Sequence, residues 1–146
     1  VLQGFRPQKD EGVERVILVD TSVWVDIFRD KIGKVVSRFR ILTQGQLVVL
    51  SRFNQLELLQ GAKNENEWKM LDEYLSTQLF LEASDHTWRQ AARIFFELRR
   101  QGMTVRSPID CCIAQCAIEH NACLLHKDKD FEIMSNIRSL KQQRFY

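Results

Sequence analysis

The sequence predicts an α/β protein, a single domain with a mostly parallel central sheet of four to five strands flanked by helices. Short apolar runs such as Val16–Val19 and Gln46–Leu50 are typical of parallel strands buried on both faces. Longer segments with helical periodicity separate these runs, and strands that alternate with helices usually pair in parallel beneath helical layers. The 146 residues suffice for one domain with a sizeable core.

In the first half of the chain, predicted helices follow each strand. They cover Ser22–Arg29, Lys34–Leu42 and the segment from Ser51 to Gln60, and a further helix begins at Asn64. Ser51 is a favourable N-cap for the third of these helices, and Gly61 is a favourable residue to end it.

The second half of the chain continues the alternation. Its predicted elements are a strand at Leu79–Leu81, a helix from Ser84 to Gly102, a helix at Ser107–His120, a strand at Ala122–Leu125, a helix at Asp130–Ser135 and an edge strand within Leu140–Phe145. Trp88 has helical spacing to Ala91 and Leu98, as Trp68 has to Leu71 and Leu75, so both tryptophans are predicted to pack in the core.

The composition is that of an ordinary globular protein. Hydrophobic residues make up 45% and charged residues 27%, and the formal net charge of +2 permits a nucleic-acid partner without requiring one. No apolar run approaches the roughly 20 residues of a membrane-spanning helix, so we expect no membrane partner and a cytoplasmic location. Residues 1–14 are polar and are predicted to be a tag remnant or flexible extension before a domain at 15–146.

Two aspartates occupy positions where a structural and a functional role are both plausible. Asp20 directly follows the first strand, where it can cap the next helix or face a ligand at the carboxyl edge of the sheet. Asp110 follows Ser107 and Pro108 at a helix entry, where an acid also complements the helix dipole.

Three further acids have similar alternatives. Glu57 lies among leucines in a predicted helix and can simply face solvent, as most glutamates do. Asp128 and Asp130 follow the Ala122–Leu125 strand and can form a solvated charge cluster, with Asp130 as the predicted cap of the last helix.

The positions of these acids taken together are more informative than the position of any one of them. Acids that follow separate parallel strands meet at one rim of the sheet, where they repel one another unless a cation neutralises them. Mg²⁺ or Mn²⁺ suits such oxygen ligands. Because no Gly-rich phosphate loop accompanies the acids, the pattern favours metal-assisted phosphodiester hydrolysis over nucleotide-driven phosphoryl transfer.

At these residues the sequence resembles the PIN-domain family, and within it the VapC-type toxins of bacterial toxin–antitoxin pairs. Asp20-Thr21-Ser22 resembles the opening signature of the family, and Glu57-Leu58-Leu59-Gln60-Gly61 is similar to its Glu-Leu-x-x-Gly helix. Pro108-Ile109-Asp110 and Asp128-Lys129-Asp130-Phe131 resemble its two last acidic motifs. The match runs in order from about Arg15 to the C-terminus.

The resemblance implies a PIN fold and an endoribonuclease that depends on Mg²⁺ or Mn²⁺. It places the metal site at Asp20, Glu57, Asp110 and Asp128, with Ser22 in support. Asp130 and His126 are further candidates beside that site. His126 stands where the family usually has Ser or Thr, and its imidazole is a candidate to hold a bridging water near Asp128. Lys127 and Lys129 are candidates for contacts with the RNA backbone.

The resemblance also implies partners: an RNA substrate, a cognate VapB-type antitoxin and a second copy of the chain in a homodimer. Two alternatives stay open at this level. One is a catalytically inactive PIN-like module that binds RNA or protein, and the other is a DNA nuclease with the same metal site. No residue pattern in the chain reads the 2′-hydroxyl recognisably, so the preference for RNA rests on the resemblance.

Overall fold

A computed structural model describes residues 15–146 of the chain; the predicted extension at residues 1–14 lies outside this range. The described elements are β1 (Val16–Val19), α1 (Thr21–Arg29), α2 (Lys34–Thr43), β2 (Leu47–Ser51), α3 (Arg52–Gln60), α4 (Glu65–Leu75), β3 (Phe80–Leu81), α5 (Asp85–Arg100), α6 (Pro108–Glu119), β4 (Cys123–His126), α7 (Lys129–Met134) and β5 (Gln142–Arg144). Each predicted strand and helix is present, with ends that shift by one or a few residues.

The strands form one five-stranded sheet in the order β3-β2-β1-β4-β5, and every pair within it is parallel. The α/β prediction is therefore confirmed, and β1 and β4, which precede Asp20 and Asp128, are neighbours at the centre of the sheet. Their register pairs Val19 with Leu125, and the Asp20 N–H donates to the Leu125 carbonyl at 2.8 Å. The first acid is thus fixed beside the end of β4.

Both faces of the sheet are buried, which explains the unbroken apolar runs. Leu18, Val49 and Leu124 face a core shared with α5, α6 and α7. Their sequence neighbours, among them Val19 and Leu125, face the opposite core beneath α1 and α2. Because alternate strand residues point to opposite faces, helices on each side are needed to cover them.

The helix caps predicted from the sequence are largely those of the structure. Ser51 forms a capping box with Asn54 at the start of α3, and Gly61 follows the last residue of that helix. Ser107 caps α6, with Pro108 at its first position. These caps fix the entry of each helix at the carboxyl edge of the sheet, which is the edge that holds the acids.

Three predictions about individual residues are wrong. Trp68 and Trp88 are 45% and 56% exposed, because Leu75, Ala91, Ile94 and Leu98 supply the buried faces of α4 and α5. The cap of α7 is Asp128, whose side chain accepts the N–H of Asp130; Asp130 itself lies in the first turn. Helical spacing alone does not tell which edge of an apolar stripe stays in solvent.

Within residues 15–146, no helix combines the length and the apolar character needed to cross a membrane.

Candidate active site

Three acids from three different parts of the chain meet at the carboxyl edge of the sheet. Asp20 lies at the end of β1, Glu57 lies in α3 and Asp110 lies in the first turn of α6. Each offers a carboxylate oxygen within 4.8 Å of those of the other two. The structure thus brings together three of the four acids proposed as metal ligands from the sequence.

Asp20 both caps α1 and belongs to the acidic cluster, so the two alternatives from the sequence are compatible. Its Oδ2 accepts the Ser22 N–H at 3.0 Å and the Ser22 hydroxyl at 2.6 Å. A carboxylate has two oxygens, so a cap on Oδ2 is compatible with a ligand role. Burial raises the pKa of Asp20, and the hydrogen bonds from Ser22 oppose that rise.

Ser22 connects Asp20, at the end of β1, to the end of the neighbouring strand β4. Besides donating to Asp20, its Oγ accepts the backbone N–H of Lys127 at 3.1 Å. The exit of β4 is therefore tied to the end of β1 through one hydroxyl. The role of Ser22 in supporting a metal site stays a prediction from the resemblance.

Glu57 is held by residues that the sequence analysis did not single out. The Thr21 hydroxyl donates to Glu57 Oε1 at 2.6 Å, and the buried Asn54 amide donates to Thr21 Oγ1 at 3.1 Å. Burial, followed by the nearby charge of Asp20, raises the pKa of Glu57. No pattern in the sequence indicates these hydrogen bonds, because the burial of Asn54, which makes its amide need partners, is visible only in the structure.

Asp110 is the most perturbed acid of the cluster. Burial, together with the charges of Asp20, Glu57, Asp128 and Asp130, raises its pKa to about 7. Its position in the first turn of α6 favours an anion, but this does not offset four acidic neighbours. A carboxyl group in these surroundings favours the binding of a cation that neutralises the neighbouring charges.

Asp128 and Asp130 form a second group of acids with Asp110, again with oxygens within 4.8 Å. Asp130 is 3% exposed and accepts the Arg106 backbone N–H at 3.0 Å, so it anchors the segment between α5 and α6. Asp128 accepts the Arg106 guanidinium as well as the Asp130 N–H. Although burial alone would raise the pKa of Asp128, these hydrogen bonds outweigh it and lower the pKa.

His126 orients Asp128 through its ring and does not need a bridging water to do so. Its Nδ1 accepts the Asp128 N–H at 3.0 Å, which places the ring proton on Nε2, 2.7 Å from Gln142 Oε1. Both ring nitrogens therefore contact protein atoms, and the expectation of a bridging water at this ring is wrong. The imidazole acceptor takes the place of the hydroxyl that the family usually has here.

The two lysines proposed for RNA contacts lie at the rim of the cluster. Both are exposed, and Lys127 forms an ion pair with Asp26 of α1. Lys129 is the first residue of α7, directly after Asp128. Their positions are compatible with phosphate contacts beside the acids.

The donor set suits a hard divalent cation. Carboxylate oxygens from separate elements, close together and partly desolvated, are the ligands that Mg²⁺ and Mn²⁺ prefer. Fold and site together define the class: a parallel α/β domain with an acidic cluster that offers metal ligands at the carboxyl edge of its sheet.

Comparison with known proteins assigns the family within that class. Residues 17–136 match the PIN domain. A VapC ribonuclease from Mycobacterium bovis and ribonuclease VapC11 from Mycobacterium tuberculosis are each 35% identical over 133 residues, covering 89% of this chain and 99% of the relative. The chain belongs to the PIN-domain family and, within it, to the VapC ribonucleases.

Solved structures agree in fold. The chain resembles a protein chain in a crystal structure of VapBC2 from Rickettsia felis bound to a promoter DNA fragment, with a TM-score of 0.73 and 20% identity. The match covers 90% of this chain and 99% of that chain. The chain also resembles a protein chain in DNA-bound VapBC from Salmonella typhimurium, with a TM-score of 0.70, 20% identity and coverage of 90% and 98%.

Replacing the most perturbed acid should stabilise the protein in EDTA. A folded-state pKa of about 7 against the ordinary value of 3.8 means that the folded state binds more protons between these pH values. Stability in this window therefore falls as pH rises, and the full cost is present above pH 7. We expect Asp110→Asn to melt higher than wild type at pH 8, with the difference shrinking toward pH 4.

The matched control is Asp85→Asn, because Asp85 is also a first-turn acid but is exposed. It should show no such pH-dependent gain in melting temperature. A melting temperature for Asp110→Asn that is lower than that of wild type at pH 8 would mean that helix stabilisation dominates the role of Asp110.

Proposed function

We propose that this chain is an endoribonuclease dependent on Mg²⁺ or Mn²⁺, the toxin of a toxin–antitoxin pair, acting in the cytoplasm. The observation that carries the proposal is the approach of Asp20, Glu57 and Asp110 to within 4.8 Å at the carboxyl edge of the sheet. Its support from relatives is the 35% identity to proteins named as VapC ribonucleases.

The metal ligands in this proposal are Asp20, Glu57 and Asp110, with Asp128 beside them. A divalent cation bound there supplies Lewis-acid activation of water and stabilises negative charge on the phosphodiester. Ser22 and Thr21 hold the carboxylates of Asp20 and Glu57 in place through hydrogen bonds of 2.6 Å. Such prearranged ligands need little rearrangement when the cation binds.

Substrate binding in this proposal uses the positive side chains around the cluster. Lys127, Lys129 and Arg106 are exposed and lie at the same edge as the acids. They attract a phosphate backbone that the acids alone would repel. This arrangement limits productive binding to strands whose phosphates reach the basic rim and the cation together.

The two alternatives differ from this proposal in measurable ways. A module that only binds has no use for a carboxylate such as Asp110, whose burial beside other acids raises its pKa to about 7. A DNA nuclease would use the same acids, so the structure of the site does not separate it from a ribonuclease. Parallel assays on RNA and DNA of one sequence make that distinction.

Cleavage of RNA should require both a divalent cation and the acids. We expect the wild type to cleave RNA with Mg²⁺ or Mn²⁺ and to stop in EDTA. Asp20→Asn should lower the rate at least about 100-fold, since changes even in residues around a metal site commonly cost 10- to 100-fold. Asn caps helices as well as Asp does, so this variant should stay folded.

The readout is gel analysis of a labelled RNA and of the matching DNA, with circular dichroism as the folding control. Cleavage that persists in EDTA, or an Asp20→Asn variant as active as wild type, would refute the proposed mechanism. Cleavage of the DNA strand alone would support the DNA-nuclease alternative.

A groove next to the acids supports the proposed antitoxin partner. It measures about 1330 Å³ and is lined by residues of α1, α2, α3 and α4, including Phe28, Phe39, Met70 and Glu57. Glu57 belongs to the acidic cluster, so the groove is continuous with it. An antitoxin segment with apolar side chains can fill the groove and place an Arg among the acids, whose fork fits carboxylates.

Charging the groove should prevent neutralisation by the partner. Met70 is 70% exposed and lines the groove, so Met70→Glu should leave the fold intact. Co-expression with the neighbouring small open reading frame should restore growth to cells that express wild type but not to cells that express Met70→Glu. Ile41→Glu is the control, because Ile41 is 75% exposed on α2 and does not line the groove. Equal rescue of Met70→Glu and wild type would contradict this site.

Exposed apolar side chains on α3 and α5 support the proposed homodimer. Leu56 is 53% exposed, and Trp88 is 56% exposed with its ring edge-on to Phe53 at 5.1 Å. Trp88→Glu should shift the chain from dimer to monomer in sedimentation velocity, because a charge would be buried at the interface. Trp68→Glu, on α4, should leave the dimer unchanged. A monomeric wild type, or a dimeric Trp88→Glu, would contradict this interface.

A further inference from the structure

Arg106 lies on one of the two overlapping groups of acids. The groups are Asp20–Glu57–Asp110 and Asp110–Asp128–Asp130, and they share Asp110. The Arg106 guanidinium forms an ion pair with Asp128, and its Nε is 3.9 Å from Asp130 Oδ2. A positive charge from the chain itself therefore occupies the second group.

The backbone places Arg106 for this contact. Its N–H donates to Asp130 Oδ2 at 3.0 Å, which anchors the segment between α5 and α6 over the acids. The side chain is 77% exposed, so no packing forces it into this position. Its charged end nevertheless lies on the carboxylates and is free to leave without disturbing the core.

The guanidinium and a divalent cation compete for the same oxygen. Asp128 Oδ1 accepts the Asp130 N–H at 3.0 Å, whereas Oδ2 accepts the Arg106 guanidinium. Oδ2 is thus the oxygen through which Asp128 can contribute to a metal site. Two positive groups at one oxygen repel each other, so the guanidinium at Oδ2 disfavours an ion there.

We propose that Arg106 is a built-in counter-cation that keeps the Asp110–Asp128–Asp130 group closed to a divalent ion, so that the resting chain takes one ion, at Asp20–Glu57–Asp110. A second ion binds only when the guanidinium leaves. Arg106 is a positioning residue in this account, since it sets how many ions the acids accept. The inference rests on the proposed function, because it assumes that the acids bind a divalent cation.

The test measures Mn²⁺ binding to the RNA-free protein by calorimetry and by electron paramagnetic resonance of free Mn²⁺. Wild type should bind one ion and Arg106→Ala two, with the first ion bound about tenfold tighter once a nearby positive charge is gone. Lys127→Ala removes the same charge from the same rim but from a residue paired with Asp26, and it should keep one ion. Arg106→Lys should also keep one ion, with weaker exclusion of the second.

A double variant isolates the oxygen at issue. Arg106→Ala with Asp128→Asn should return to one ion, because the second group then lacks the Asp128 carboxylate. Two ions on wild type, or one on both wild type and Arg106→Ala, would overturn the role of Arg106 while leaving the metal site in place. No Mn²⁺ on wild type and on Arg106→Ala would instead refute the proposed metal site itself.

Discussion

Repulsion among carboxylates at one edge of the sheet is the constraint around which the site is built. Five acids lie there, and burial together with the charges of the other four raises the pKa of Asp110 to about 7. Helix entries offset part of the repulsion, because Asp20 and Asp128 each accept a backbone N–H at the start of a helix. The exposed Arg106 offsets another part of this repulsion through its ion pair with Asp128. The remaining repulsion is what a bound cation would relieve, so stability and binding are coupled at this site.

Rigid packing beneath the acids is what keeps them close in spite of that repulsion. β1 and β4 are fixed side by side, and both faces of the sheet are covered by apolar side chains. Short hydrogen bonds from Thr21 and Ser22 then restrain Glu57 and Asp20 individually. Without that restraint the carboxylates would rotate into solvent, and their pKa values would return toward ordinary ones. The apolar core therefore contributes directly to the electrostatics of the site.

The sequence predicts the fold well, and it predicts that the acids lie close together at one edge of the sheet, because both depend on local patterns. Apolar runs identify strands buried on both faces, and the topology of parallel strands brings their carboxyl ends to one edge. The errors concern choices that depend on neighbours far along the chain. Asp128 and Asp130 are two residues apart and both suit a cap; Arg106, whose N–H and side chain lie over these acids, is 24 residues from Asp130. Trp88 has core spacing, yet its helix buries Ala91 and Ile94 instead.

His126 shows how a departure from a family pattern can preserve the geometry of a site. A hydroxyl and an imidazole Nδ1 both accept a hydrogen bond, so either can hold the Asp128 N–H. The imidazole is larger, and it is fully buried against Phe131, with a second nitrogen that requires an acceptor. Gln142 of β5 supplies that acceptor at 2.7 Å. The short edge strand is thereby tied to the acid that caps α7, so a change at residue 126 is accommodated only together with the partner on β5.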